Sequence, residues 1–196
     1  GFPKAHAASY AQIAWRAAWC KVHYPAVFMA AVLANWGGYY SQRVYLMEAR
    51  RLGLALRTPG VNEAQREFSV QYQNDKPVLF MGLDQVRDLT QRTILRILNN
   101  RPYHTLDEFL ARVDPRLVEV ENLARCGAFE GFGSIPAQLA YFKQGGWQGG
   151  QLSLFAYDPS SSIEDWSVQE KASAQEAILG VSIIAHPLEL RGKVIA

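Results

Sequence analysis

The sequence predicts a mainly α-helical protein in which a short β-hairpin separates two helical units. Three observations carry this expectation. Apolar residues recur at helical spacing along Ser9–Val22 and again between about residues 82 and 143. Helix punctuation (Pro25, Thr90, Thr105, Gly127, Ser167, Gly180) recurs at intervals that suit short helices. Only around residues 68–80 does the pattern change, with Phe68, Val70 and Tyr72 alternating before an Asn74-Asp75 turn and Val78–Phe80 following it.

In the first helix, Tyr10, Ile13, Ala14 and Ala17 share one face and Trp15, Ala18, Trp19 and Val22 cover the other, so a largely buried helix is expected. Pro25 ends it and opens a second helix, with Phe28, Met29, Val32 and Leu33 as its apolar residues and Gly37-Gly38 as the stop. Ser41 is the expected N-cap of a third, with Val44, Tyr45 and Met47 inward and Gly53 at its end. Phe68, Val70 and Tyr72 alternate as one strand, and Val78–Phe80 supply the returning one. In the second unit Thr90 caps a helix carrying Ile94, Ile97 and Leu98. Thr105-Leu106-Asp107-Glu108 has the form of a capping box. Asp114-Pro115 is expected to open another helix, closed by Gly127, and Ser134 a short further one. Gly145–Gly150 and Asp158–Ser162 read as flexible linkers, and Ser167-Val168-Gln169-Glu170 as a second capping box whose helix ends at Gly180.

The 196 residues suit one large domain or two small ones, and nearly half of them are apolar with about a fifth charged, a soluble globular balance. No stretch suits a bilayer span or a signal peptide, so no membrane partner and a cytoplasmic location are expected. The chain opens without Met and close to a helical pattern, which reads as a cut from a longer polypeptide. Cys20 and Cys126 are expected to be buried free thiols. His6, His23, His104 and His186 are scattered without ligand spacing, so no metal site and no cofactor are expected in this chain.

The net charge of +2 conceals an asymmetry, because Gly1–Arg57 holds seven basic residues against the single acid Glu48, while acids dominate from Gln151 onward. A basic part suits a phosphate-facing surface. Arg87, Arg92, Arg96 and Arg101 extend it, and Arg92 and Arg96 stand one helical turn apart. Nothing here resembles a catalytic centre. There is no Asp-x-Asp to hold Mg²⁺, no phosphate-binding glycine loop and no nucleophile elbow, so the chain alone is expected to be inactive as an enzyme. The sharpest feature is Gln151-Leu152-Ser153-Leu154-Phe155, three large apolar residues between two loose linkers. Such a peptide suits docking into a partner's hydrophobic pocket.

Several segments, in order, resemble the bacterial C-family DNA polymerase, the replicative alpha subunit. Phe2-Pro3-Lys4-Ala5-His6-Ala7-Ala8-Ser9-Tyr10-Ala11 is similar to a signature of its fingers, with Ala5 where the family has Ser. Trp19–Ala31, with Lys21, His23-Tyr24-Pro25 and Phe28-Met29-Ala30-Ala31, resembles the segment that follows. Glu48–Gly53, Val61-Asn62, Gly127-Ala128-Phe129 and Leu179-Gly180 through His186-Pro187-Leu188 match further pieces, and Gln151–Phe155 matches the family's sliding-clamp pentapeptide. Where the family's first hairpin reads Gly-Val-Gly, this chain has Asp88-Leu89-Thr90, placing an acid where glycines let backbone N–H groups approach a phosphate.

The resemblance implies fingers-end helices with a short hairpin over residues 1–80, a tandem helix-hairpin-helix-like unit contacting DNA over 81–144, an extended clamp-binding segment over 145–165 and a capped helix opening a following domain over 166–196. It implies a non-catalytic part of a DNA-directed DNA polymerase whose partners are the sliding clamp, primer-template DNA and the incoming nucleotide. Lys4 and His6 would lie near the nucleotide triphosphate, and Mg²⁺ would belong to a catalytic domain elsewhere in the parent protein. The alternative is a clamp-interacting adaptor from a degenerate polymerase relative, without a role in synthesis.

Overall fold

The computed structural model describes residues 3–35, 38–143 and 163–185. Gln151–Phe155, both linkers and His186 lie outside them. The fold is mainly α, with eight α-helices and one three-stranded sheet among the described residues. The chain forms two compact units, residues 1–55 with 68–79 and residues 56–67 with 80–196.

The first unit begins with α1 (Lys4–His23), which starts five residues before Ser9. Ala5, Ala7 and Ala8 are strong helix formers and extend it. Contrary to expectation α1 is not buried: Trp15 is 67% and Val22 74% exposed, and no residue of the helix is buried. Its apolar side chains ring the whole helix instead of forming one seam, so α2 alone cannot cover them. Cys20 shares this exposure, which corrects the expected burial of both thiols. In α2 (Pro25–Ala34), Pro25 takes the first turn, where its missing N–H costs nothing. Ala26, Met29, Ala30 and Leu33 are the buried face.

Ser41 precedes α3 (Gln42–Arg51), although its hydroxyl makes no capping bond. The inward residues are Leu46 and Ala49, not Val44, which is 47% exposed. The cause is electrostatic. Val44, Glu48 and Arg51 share a face, and Glu48 accepts from Lys21 Nζ at 2.6 Å and Arg51 Nε at 2.6 Å, an ion-pair cluster that keeps that face in water. The Arg51 bonds, then that of Lys21, hold the Glu48 carboxyl down to about 2. Two of the seven basic residues of this region are thereby paired.

Strands β2 (Ser69–Gln73) and β3 (Lys76–Phe80) form the expected hairpin. Asn74 (φ 49°) and Asp75 (φ 60°) both take the left-handed conformation of a two-residue turn matched to strand twist. A further strand, β1 (Ala55–Arg57), was too short to show a period, and the sheet order is β1-β3-β2.

The second unit holds α4 (Gln91–Asn99), α5 (Leu106–Val113), α6 (Leu117–Cys126), α7 (Ile135–Lys143) and α8 (Val168–Leu179). Its core is aromatic. Tyr103 meets Phe109 edge to face at 5.0 Å between centroids, and Phe109 meets Phe129 at 4.8 Å. The buried Tyr103 hydroxyl donates to the Ile97 carbonyl at 2.9 Å, and burial pushes its pKa up to about 12. Gly82 lies against the backbone of Arg66, where a Cβ would come within 2.5 Å of the carbonyl oxygen. Gly127 (φ 88°) ends α6 in the left-handed conformation, as expected of a helix stop. Gln175 of α8 donates to the Cys126 carbonyl at 3.3 Å and accepts from Ile183 N at 3.1 Å, tying α8 to α6.

The Ser167 box is complete, with Ser167 N donating to Glu170 at 2.8 Å and Glu170 N to Ser167 Oγ at 3.3 Å. The Thr105 box is only half formed. Glu108 N donates to Thr105 Oγ1 at 3.1 Å, but the Glu108 carboxylate accepts from His104 N, one residue earlier, at 2.8 Å, and also pairs with Arg112. Asp114-Pro115 does not open α6. Pro115 disfavours the right-handed helical conformation for Asp114, which turns left-handed (φ 50°) and caps the end of α5, while Arg116 precedes α6. Among the described residues no helix is long and apolar enough to cross a membrane.

Candidate nucleic-acid interface

Two tight turns of the second unit carry the charged residues. One runs from the 3₁₀ turn Leu83–Gln85 through Asp88 to Thr90 at the start of α4. The other joins α5 to α6 through Asp114-Pro115-Arg116. Each reverses the chain with an aspartate in the left-handed conformation, Asp88 at φ 62° and Asp114 at φ 50°. Asp adopts this region more readily than most residues with a Cβ, because its short polar side chain bonds locally. At the first turn it stands where the resemblance puts a glycine. Each turn then delivers a helix N-terminus.

One buried carboxylate joins the two turns. Glu119, 1% exposed, accepts from Thr90 N at 2.9 Å, Thr90 Oγ1 at 2.7 Å and Thr93 Oγ1 at 3.0 Å through one oxygen. Its other oxygen accepts from Arg116 N at 2.8 Å. It thus satisfies free N–H groups at the starts of both α4 and α6. Burial opposes the charge, but the hydrogen bonds from Thr90, Arg116 and Thr93 outweigh it and hold the carboxyl down to about 2. Arg116 also reaches across to the Asp88 carbonyl at 3.1 Å, and Asn122 Nδ2 donates to the Arg87 carbonyl at 2.8 Å. The two turns are held as one rigid pair.

Around this pair the arginines divide. Arg87 is exposed. Arg92 is 63% exposed and meets Asp114 at 3.2 Å. Arg96 donates to Asp114 at 3.1 Å and to the Val113 carbonyl at 3.0 Å. Arg101 turns inward, donating from Nε to the Val61 carbonyl at 2.6 Å and from its terminal nitrogen to the Ala64 carbonyl, and burial lowers its pKa. The structure therefore brings Arg87, Arg92 and Arg96 to one pair of turns and gives Arg101 a role in holding the 61–64 loop. In the first turn Leu89 N donates to the Val86 carbonyl at 3.3 Å and Thr90 N to Glu119 at 2.9 Å.

Lys4 and His6 lie in the exposed first turn of α1, with the His6 ring edge to face with Tyr10 at 4.5 Å. Two residues apart on a helix, they do not share a face. Gln151–Phe155 lies outside the described residues. Among the described residues no group of three or more His, Cys, Asp or Glu side chains could hold a metal ion. Sequence reasoning missed Glu119, Arg116 and the place of Asp114. The signal was a glutamate three residues after a helix start, hidden because arginine is not a usual capping residue.

A family model described as a helix-hairpin-helix motif matches residues 53–139. The chain is 31% identical to the DNA polymerase III subunit alpha of Caulobacter vibrioides over 96% of its own length and 18% of that protein's. It is 35% identical to an error-prone DNA polymerase of Corynebacterium efficiens over 97% of its length, again 18% of the relative. An error-prone DNA polymerase of Alkalilimnicola ehrlichii is 30% identical over 97% of the chain and 19% of the relative. The chain thus spans about a fifth of the length of these relatives. Both names recur among proteins matching almost the whole chain, and the helix-hairpin-helix match takes in both turns described above. This chain belongs to the family of the bacterial DNA polymerase III alpha subunits and error-prone DNA polymerases.

Proposed function

We propose that the second unit grips the phosphate backbone of duplex DNA for a template-directed DNA polymerase. The observation that carries this is the rigid pair of turns locked by Glu119, with Arg87, Arg92 and Arg116 displayed around it (Arg92 and Arg116 side chains 63% and 60% exposed). Guanidinium groups suit phosphate oxygens, and contacts to the backbone position a protein without reading sequence. In this reading the arginine side chains bear the contact, since Leu89 N and Thr90 N already bond within the unit. Arg96 supports Arg92, and Arg101 supports the loop behind them.

The remaining parts of the reading rest on the family resemblance. Gln151–Phe155 docks on the sliding clamp and tethers the protein to DNA. Lys4 and His6 approach the triphosphate of the incoming nucleotide, whose several oxyanions are able to meet two groups on different faces of a helix start. Synthesis itself, with its Mg²⁺, belongs to protein outside this chain.

Duplex binding measured by fluorescence anisotropy at low salt tests the central part. Arg87→Ala with Arg92→Ala should weaken binding uniformly across DNA sequences. It should also reduce the slope of log affinity against log salt by about one for each phosphate that is no longer neutralised. Unchanged affinity and slope in the double variant would move the DNA-binding surface away from these turns.

A further inference from the structure

Asp114 holds two arginines with one charge. The same oxygen, Oδ2, meets Arg92 at 3.2 Å and Arg96 at 3.1 Å, so the cluster keeps a surplus positive charge. The two cations are held unequally. Arg96 is 39% exposed and anchored a second time on the Val113 carbonyl at 3.0 Å, whereas the Asp114 contact is the one hydrogen bond of the 63% exposed Arg92 side chain among the described residues. Asp114 itself is kept at this spot by its left-handed backbone at the end of α5. An exposed pair of this kind is weak and easily exchanged.

We propose that Asp114 is an internal counter-ion which a DNA phosphate displaces from Arg92. The inference rests on the duplex-binding reading above and names the group that restrains it. In the free chain the carboxylate orients both guanidinium groups and lowers the local positive potential. On DNA, Arg92 exchanges the carboxylate for a phosphodiester oxygen, while Arg96 stays on Val113 and Asp114 and keeps the turn in place. Asp114 therefore sets the affinity for duplex DNA downward, limiting how long the second unit remains on any one stretch of backbone.

Asp114→Asn removes the charge and keeps a residue that tolerates the left-handed conformation. It should raise duplex affinity at low salt by roughly two- to fivefold, the size of an exposed ion-pair effect. Glu164→Gln makes the same charge change at an exposed site of the 163–167 segment that precedes α8, and should raise it less. The gain should vanish when Asp114→Asn is placed in an Arg92→Ala/Arg96→Ala background, since no cation is then left to release. A gain no larger than that of Glu164→Gln, or one that persists without the two arginines, overturns the counter-ion role. Absence of duplex binding in every variant, with unfolding curves unchanged, would instead sink the DNA reading itself.

Discussion

Glu119→Ala is expected to lower the stability of the second unit by on the order of 3–5 kcal/mol. The carboxylate is 1% exposed and accepts backbone N–H bonds from both Thr90 and Arg116. Deleting it leaves two part-buried backbone donors at two helix starts without their acceptor, with the Thr90 and Thr93 hydroxyls partly satisfied by each other at 3.0 Å. Urea unfolding of the variant should show a lowered midpoint with little change in slope. The pH dependence follows from the depressed pKa. The folded carboxyl titrates near 2 and an ordinary one near 4.5. Its stabilisation is therefore complete above the unfolded value and is lost as pH falls from there through the folded one. Glu119→Gln should flatten the acid limb of the stability curve. An unchanged midpoint in the Ala variant and an unchanged acid limb in the Gln variant would show that the two turns are held by something else.

Replacing Leu154 and Phe155 together with Ala is expected to cost about 2–4 kcal/mol of binding to a bacterial sliding clamp. A few buried apolar anchors carry most of so small an interface. Leu152 should matter less and Gln151 should serve mainly for orientation. Wild-type affinity should itself be modest, because so short a peptide offers only a small interface. Calorimetric titration of both proteins against the clamp measures the difference, and thermal unfolding provides the control. Equal clamp affinity would refute the assignment. Lower thermal stability in the variant would mean that these side chains belong to the chain's own core.

The readable parts of the fold were those governed by local chemistry. Pro25, Thr90, Ser167, Gly127 and Gly180 mark helix ends because capping and the left-handed stop depend on residues a few positions apart. Asn74-Asp75 marks the hairpin for the same reason. Burial was less legible, because it depends on what lies opposite. The apolar ring of α1 reads as a core helix, yet none of its residues is buried. Val44 reads as core, yet it shares a face with the Glu48 ion pairs. In the candidate site, Arg87, Arg92 and Arg96 were visible as a basic cluster, but their division of labour was not. Arg101 binds carbonyls some 40 positions away, and Asp114 meets Arg92 across 22 positions of chain. Glu119 acts on Thr90 over 29 positions. No local pattern carries interactions of that range.

The most direct test is the affinity of this chain for an unmodified DNA duplex measured across a salt series, with two duplexes of unrelated sequence. Side-chain contacts to a few phosphates predict binding at low salt that falls with a log–log slope of roughly −2 to −4, nearly equal for both duplexes. No binding at low salt, or binding that ignores salt, would contradict the account.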